Sequence, residues 1–264
     1  MMIDSHVHFS NEKGYAARLA KQCRRLKIDK VCLLGGEYDG QAISGGILRA
    51  LKDYPDLFLG FGMFRLGRDH PDAVDAFRAA GFTGLKCIRP LANYDDKAYF
   101  RVYERAEKFR MPMLFHLGIV ARGSRDKYMD VNCDRMRPVH LDAIARAFPK
   151  LKIMGAHFGN PWSDEAAMVA RWNPNLFFDL SGSILKYRPP EYFKQLLWWG
   201  NDPTYRAPDG TGPWDKMLFG TDVGIDAMAG VMDDYRRLMD ALDLSEKDRK
   251  KVWGGNARRL LGLK

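Results

Sequence analysis

No stretch of the 264-residue chain approaches the roughly 18 consecutive apolar residues a bilayer-spanning helix needs, so a membrane role finds no support. The N-terminus lacks a basic segment followed by an apolar one, so no secretory leader is expected. Cysteine is scarce. Cys23, Cys32, Cys87 and Cys133 are the full set and none stands in C-x-x-C spacing, so reduced thiols in a cytoplasmic protein are expected rather than a disulfide framework. No linker, low-complexity tract or long repeat interrupts the chain, and one domain over residues 1–264 follows.

What is present is ordinary globular material, 46% hydrophobic and 28% charged. The formal charge of +9 is dispersed over helical stretches such as Lys21 to Arg25 and Lys247 to Lys251. That pattern reads as solvated helix faces rather than a nucleic-acid footprint. It does favour an anionic small molecule as partner. Self-association into a homo-oligomer is left open.

Apolar runs bounded by turn residues recur at Ile3 to Phe9, Lys30 to Gly36, Leu57 to Phe64, Phe82 to Ile88, Pro112 to Gly118, Lys152 to Gly159, Leu176 to Gly182 and Met217 to Val223. Between them, Tyr15 to Leu26, Asp72 to Ala80, Ala98 to Phe109, Val139 to Phe148 and Glu191 to Trp199 carry apolar residues at helical spacing. Strand, helix, strand order implies a parallel sheet, and eight such units in this length predict an α/β fold closed as a (β/α)8 TIM barrel. Two connections are long, Ile119 to Pro138 after the fifth strand and Gly200 to Trp214 before the eighth. The first leaves the carboxyl ends of the strands, where barrel enzymes build their sites, and the second lies nearer the opposite face.

Residues two apart on a strand share a face, so His6 and His8 project together while Val7 turns toward the helices. Unpaired imidazoles in an apolar strand are costly, which favours a metal-ligand pair over two incidental polar residues. Other ionisable residues end later strands: Lys86, His116, His157 and Asp222. All would gather at one barrel mouth. The remaining histidines, His70 before a proline and His140 within a helix, read as surface or capping residues. Lys86 admits three readings: carboxylated and bridging two metals, an ammonium that binds substrate oxygen, or a partner of Asp222.

With these residues in order, the sequence resembles the amidohydrolase superfamily, in the branch that includes aminocarboxymuconate semialdehyde decarboxylase, hydroxybenzoate-type decarboxylases and sugar lactonases. The resemblance spans almost the whole chain. It is carried by Ile3-Asp4-Ser5-His6-Val7-His8, Pro138-Val139-His140-Leu141-Asp142, Gly155-Ala156-His157-Phe158-Gly159, Leu218-Phe219-Gly220-Thr221-Asp222 and Gly255-Asn256-Ala257-Arg258-Arg259-Leu260-Leu261-Gly262. The resemblance implies one divalent ion, Zn²⁺ first, held by His6, His8, His116 and Asp222. His157 would polarise a substrate carbonyl or move a proton, and Asp222 would take the proton of an attacking water. If Lys86 is carboxylated, His116 and His157 would hold a second ion.

The branch supports hydrolysis of amides and lactones and also non-oxidative decarboxylation of unsaturated or aromatic acids. A hydrolase acting on a small carboxylate-bearing substrate is the first expectation, and a decarboxylase (a lyase) is the alternative. Arg89, with Arg122, Arg125, Arg135 and Arg137 on the loop after the fifth strand, suggests an acidic substrate, because arginine forks match carboxylates. Trp162 and Tyr187 are candidate pocket walls. Deoxyribonucleases of the TatD kind share the size and an opening Asp-x-His-x-His pattern. They carry a metal-bridging glutamate where this chain has Gly84-Leu85-Lys86, which puts them third.

Overall fold

A computed structural model describes residues 1–35, 40–124, 126–200, 204 and 206–263. Eight parallel strands form one sheet in sequential order: β1 (Ile3–His8), β2 (Lys30–Leu34), β3 (Phe58–Met63), β4 (Gly84–Cys87), β5 (Met113–Phe115), β6 (Ile153–Gly155), β7 (Leu176–Asp179) and β8 (Met217–Leu218). Each lies inside its predicted run. Backbone bonds from Ser5 N to Phe219 O, 2.9 Å, and from Asp222 N to His6 O, 2.7 Å, join the two edges and close the barrel. The expected TIM-barrel fold is the observed one.

Helices cover the outside: α1 (Tyr15–Leu26), α2 (Gly40–Asp53), α3 (Ala73–Ala79), α4 (Phe100–Lys108), α5 (His140–Ala147), α6 (Ser163–Trp172), α7 (Ser183–Tyr187), α8 (Pro190–Leu196), α9 (Met228–Ala241), α10 (Glu246–Lys250) and α11 (Asn256–Leu261). Helix α1 shows why. Tyr15, Leu19, Ala20 and Cys23 form a buried stripe, Arg18, Lys21, Arg24 and Arg25 occupy the other face, and Lys27 in a left-handed turn stops the helix. No described helix is long and apolar enough to cross a membrane.

Two apolar clusters result. The larger lies between strands and helices and contains Val7, Val31, Leu33, Leu85, Phe115 and Phe178. The smaller fills the barrel below the mouth with Ile3, Cys32, Leu34, Phe61, Leu114, Met154, Phe177 and Leu218, plugged from beneath by Ala257 and Leu260 of α11. Asn256, at the start of that helix, donates to the carbonyls of Trp214 and Met217 and so ties the plug to β8.

Strict alternation on β1 would place Ile3 and Val7 on one face, yet Ile3 lies inside the barrel and Val7 outside. The register explains it. Asp4 pairs with Val31 and Val7 with Leu33, so Ser5 and His6 together oppose Cys32 alone. This bulge shifts the parity once, which lets an apolar residue floor the barrel while His6 and His8 point into its mouth.

Candidate metal centre

His6, His8 and Lys86 lie within their strands, Arg89, His116 and His157 stand one or two positions beyond theirs and Asp222 four beyond β8, and three of these residues sit in left-handed backbone: Arg89 at φ 50°, His157 at φ 58° and Asp222 at φ 49°. Non-glycine residues visit this region at a cost of about 1–2 kcal/mol, and such strain concentrates at functional sites. At His157 and Asp222 the turn bends the chain off the barrel rim and brings the two side chains together in the mouth. At Gly220 a side chain would crowd the site, because a Cβ would lie 3.0 Å from His6 Cβ and 3.1 Å from Asp179 Cβ.

Asp222 is the centre of the cluster. Its Oδ1 is 3.4 Å from His6 Nε2 and 3.3 Å from His8 Nε2, and its Oδ2 is 3.7 Å from His157 Nε2. Burial pushes this carboxyl up, but the imidazoles of His6, His157 and His8 and the Lys86 ammonium together hold it below the usual carboxylate range. Ligand atoms of His6, His157 and Asp222 all fall within 4.8 Å of one another, the spacing of a site that could hold a metal ion. His116 packs its ring edge-on against His157, centroids 4.9 Å apart. Its Nε2 is buried with no hydrogen-bond partner among the described residues. Such an atom costs roughly 1–3 kcal/mol unless something satisfies it.

Lys86 is fully buried, and its Nζ lies 3.4 Å from His6 Nε2. Burial pulls the ammonium down to about 8 against the opposing pull of Asp222 and Asp179. Arg89 is also buried and lies 3.9 Å from Asp126 of the loop after β5.

The loop arginines do not form the free cationic cluster expected. Arg137 is bound by Glu165 and Asp134 and lies over the Trp162 ring at 5.3 Å, and Arg135 pairs with Asp130 at 2.8 Å. Arg122 is exposed, and Arg125 lies outside the described residues. The physical reason is local: the same loop supplies Asp130 and Asp134, whose carboxylates neutralise the guanidiniums beside them. Tyr187 is 73% exposed. Trp162 caps α6 under Arg137. His70 is at the surface, as expected. His140 is half-buried and pairs with Asp95 at 3.1 Å, so it clamps two loops instead of facing solvent.

Two residues escaped the sequence reading. Asp4 is buried beneath the site and accepts from Thr221 Oγ1 at 2.7 Å, Thr221 N at 3.0 Å and His6 N at 3.1 Å. It thereby fixes the segment that carries Asp222 against β1. Asp179 ends β7, and its carboxylate meets His6 Nδ1 at 2.9 Å, Ser181 Oγ at 2.5 Å and the amides of His157 and Ser181, each at 3.0 Å. The signal for Asp179 was present, since Leu176-Phe177-Phe178-Asp179 ends an apolar strand on a charge as the recognised positions do.

The donor set suits a divalent ion. It offers imidazole nitrogens, one carboxylate and an orphaned buried Nε2, the ligands that Zn²⁺ and Mn²⁺ take.

The amidohydrolase family model matches residues 3–263. None of the curated proteins compared matches the chain. Among solved structures, an uncharacterised TIM-barrel protein from Bordetella bronchiseptica superposes with a TM-score of 0.72 at 17% identity, covering 99% of this chain and 98% of that one. A probable 2-pyrone-4,6-dicarboxylic acid hydrolase from Acinetobacter baumannii, solved with citric acid, gives 0.68 at 12% identity with 99% of each chain covered. A 5-carboxyvanillate decarboxylase from Novosphingobium aromaticivorans, with bound manganese and a substituted nitrobenzoic acid, gives 0.64 at 15% identity, covering 100% of this chain and 97% of that one.

Proposed function

The chain belongs to the amidohydrolase family, and from that premise we propose that it is a metal-dependent hydrolase acting on a small carboxylate-bearing lactone or amide. The observation that carries the reading is the convergence of three imidazole Nε2 atoms on the Asp222 carboxylate, at 3.3 to 3.7 Å, in a barrel mouth. The solved hydrolase and decarboxylase with the same fold make both reactions available to such a scaffold.

In this reading His6, His8, His116 and Asp222 hold one divalent ion, Zn²⁺ by its preference for imidazole and carboxylate. When bound, the ion supplies Lewis acidity and brings the ionisation of water toward neutral pH. Asp222, kept ionised by its imidazole neighbours, accepts the proton of the attacking water. His157, on the other side of that carboxylate, takes up that proton from Asp222 on Nε2 and passes it to the leaving group. Lys86, as the free ammonium, and Arg89 face the substrate carboxylate, and Trp162 bounds the pocket beside them. The partner is an anionic small molecule, and the charge of +9 favours its approach.

The test is to incubate zinc-loaded protein with panels of lactones, amides and aromatic acids carrying a carboxylate while following acid release and carbon dioxide. Acid release without carbon dioxide is expected. Carbon dioxide from an aromatic acid, with no lactone or amide turned over, would replace hydrolysis by decarboxylation.

A further inference from the structure

Asp179 touches the site, yet none of the steps above uses it. Its oxygens are saturated by donors. Oδ1 takes the amides of His157 and Ser181 and the Ser181 hydroxyl, and Oδ2 faces His6 Nδ1. Two fixed backbone amides and a hydroxyl donated to one carboxyl group favour its ionised form.

An ionised carboxylate can only accept hydrogen bonds. His6 must therefore carry a proton on Nδ1, and Ser181 must turn its hydrogen toward Asp179. Ser181 Oγ then offers only lone pairs to His157 Nδ1, 2.9 Å away, and the Ser181 carbonyl, 3.3 Å from the same nitrogen, is another acceptor. His157 Nδ1 carries its proton for that reason. A neutral imidazole has one N–H, so Nε2 of each neutral ring is left bare, and both bare nitrogens face Asp222.

We propose that Asp179 is the positioning residue that sets the tautomer of both imidazoles, His6 directly and His157 through Ser181. Its consequence for metal binding rests on the proposed function; the tautomers themselves do not. Asparagine cannot replace it. The two backbone amides and the Ser181 hydroxyl are fixed donors, so an asparagine would turn its carbonyl oxygen to them and its NH₂ group to His6. His6 would then accept at Nδ1 and carry its proton on Nε2, where it cannot ligate.

The experiment uses metal-stripped protein labelled with ¹⁵N-histidine, read by long-range ¹H–¹⁵N correlation above about pH 7.5, where an unperturbed ring is neutral. His6→Gln and His157→Gln spectra assign the signals. In the wild type both rings should show a protonated Nδ1 and a bare Nε2. In Asp179→Asn, His6 should switch to the Nε2-protonated form, and zinc affinity should fall about 10–100-fold. In Ser181→Ala the His6 tautomer should be unchanged. An Nε2-protonated His6 or His157 in the wild type overturns the proposal, even if no variant folds. So does an Asp179→Asn protein that keeps His6 protonated at Nδ1 and binds zinc as tightly as the wild type. A wild type with both expected tautomers but no zinc binding would support the positioning role while refuting the metal reading.

Discussion

Replacing His116 by leucine separates what this residue does for the fold from what it does for an ion. In the metal-free protein its buried Nε2 has no partner among the described residues, at a cost of about 1–3 kcal/mol. Leucine removes that cost and fills much of the space. It also forfeits the edge-on contact with His157, worth about 0.5–1.5 kcal/mol. The net effect lies between about −0.5 and +2.5 kcal/mol, and at about 2 °C per kcal/mol for a chain of this size the melting temperature should move by between about −1 and +5 °C. With zinc the order should invert. At a hundredfold excess over its dissociation constant, zinc stabilises the wild type by about 2.7 kcal/mol, or about 5 °C, whereas the variant, lacking a ligand, should shift little at the same zinc concentration. Differential scanning calorimetry of chelator-stripped protein, with and without zinc, reads both effects. A variant more than about 2 kcal/mol less stable than the metal-free wild type would refute the first part of the reasoning. A full zinc shift in the variant would refute the second.

Two further substitutions probe the frame around the site. Gly220→Ala places a methyl against His6 and Asp179 and should cost about 1–3 kcal/mol by overpacking; an unchanged urea midpoint would show that the contact yields freely. Asp142 sits under burial that raises it, but Arg146 and the Asn173 amide pull its carboxyl below the usual range. A lowered folded value means the stabilisation is present above the unfolded value near 3.9 and is lost as pH falls through the folded one. The melting-temperature gap between wild type and Asp142→Asn should therefore close between about pH 5 and pH 2. The gap should be small, under about 1 kcal/mol, because Arg146 is 62% exposed. A gap that widens on acidification would reverse the sign of this argument.

Much of the molecule was legible from local pattern. Each apolar run contains one of the eight strands, and α1 occupies its predicted bounds from Tyr15 to Leu26. Placing His116, His157 and Asp222 at strand ends brought them to the mouth where His6 and His8 point, because a parallel barrel puts all carboxyl ends on one side. The loop arginines misled. A count of guanidiniums does not show that Asp130, Asp134 and Glu165 already bind two of them. Asp179 went unread because the histidines it meets, His6 and His157, lie 173 and 22 positions away in the chain.

The alternation of apolar and polar residues and the spacing of turns determined the eight strands, their order and the end of the barrel that carries the chemistry, since these follow from the two-residue and 3.6-residue periods of the backbone. Tertiary structure alone decided the bulge that turns His6 and His8 inward above an apolar Ile3, the left-handed bends at His157 and Asp222, and the meeting of Asp179 with a histidine 173 positions earlier. Those features depend on closing the barrel, which brings β7 and β8 against β1 and gives Asp4, Asp179 and Asp222 partners far away in the chain.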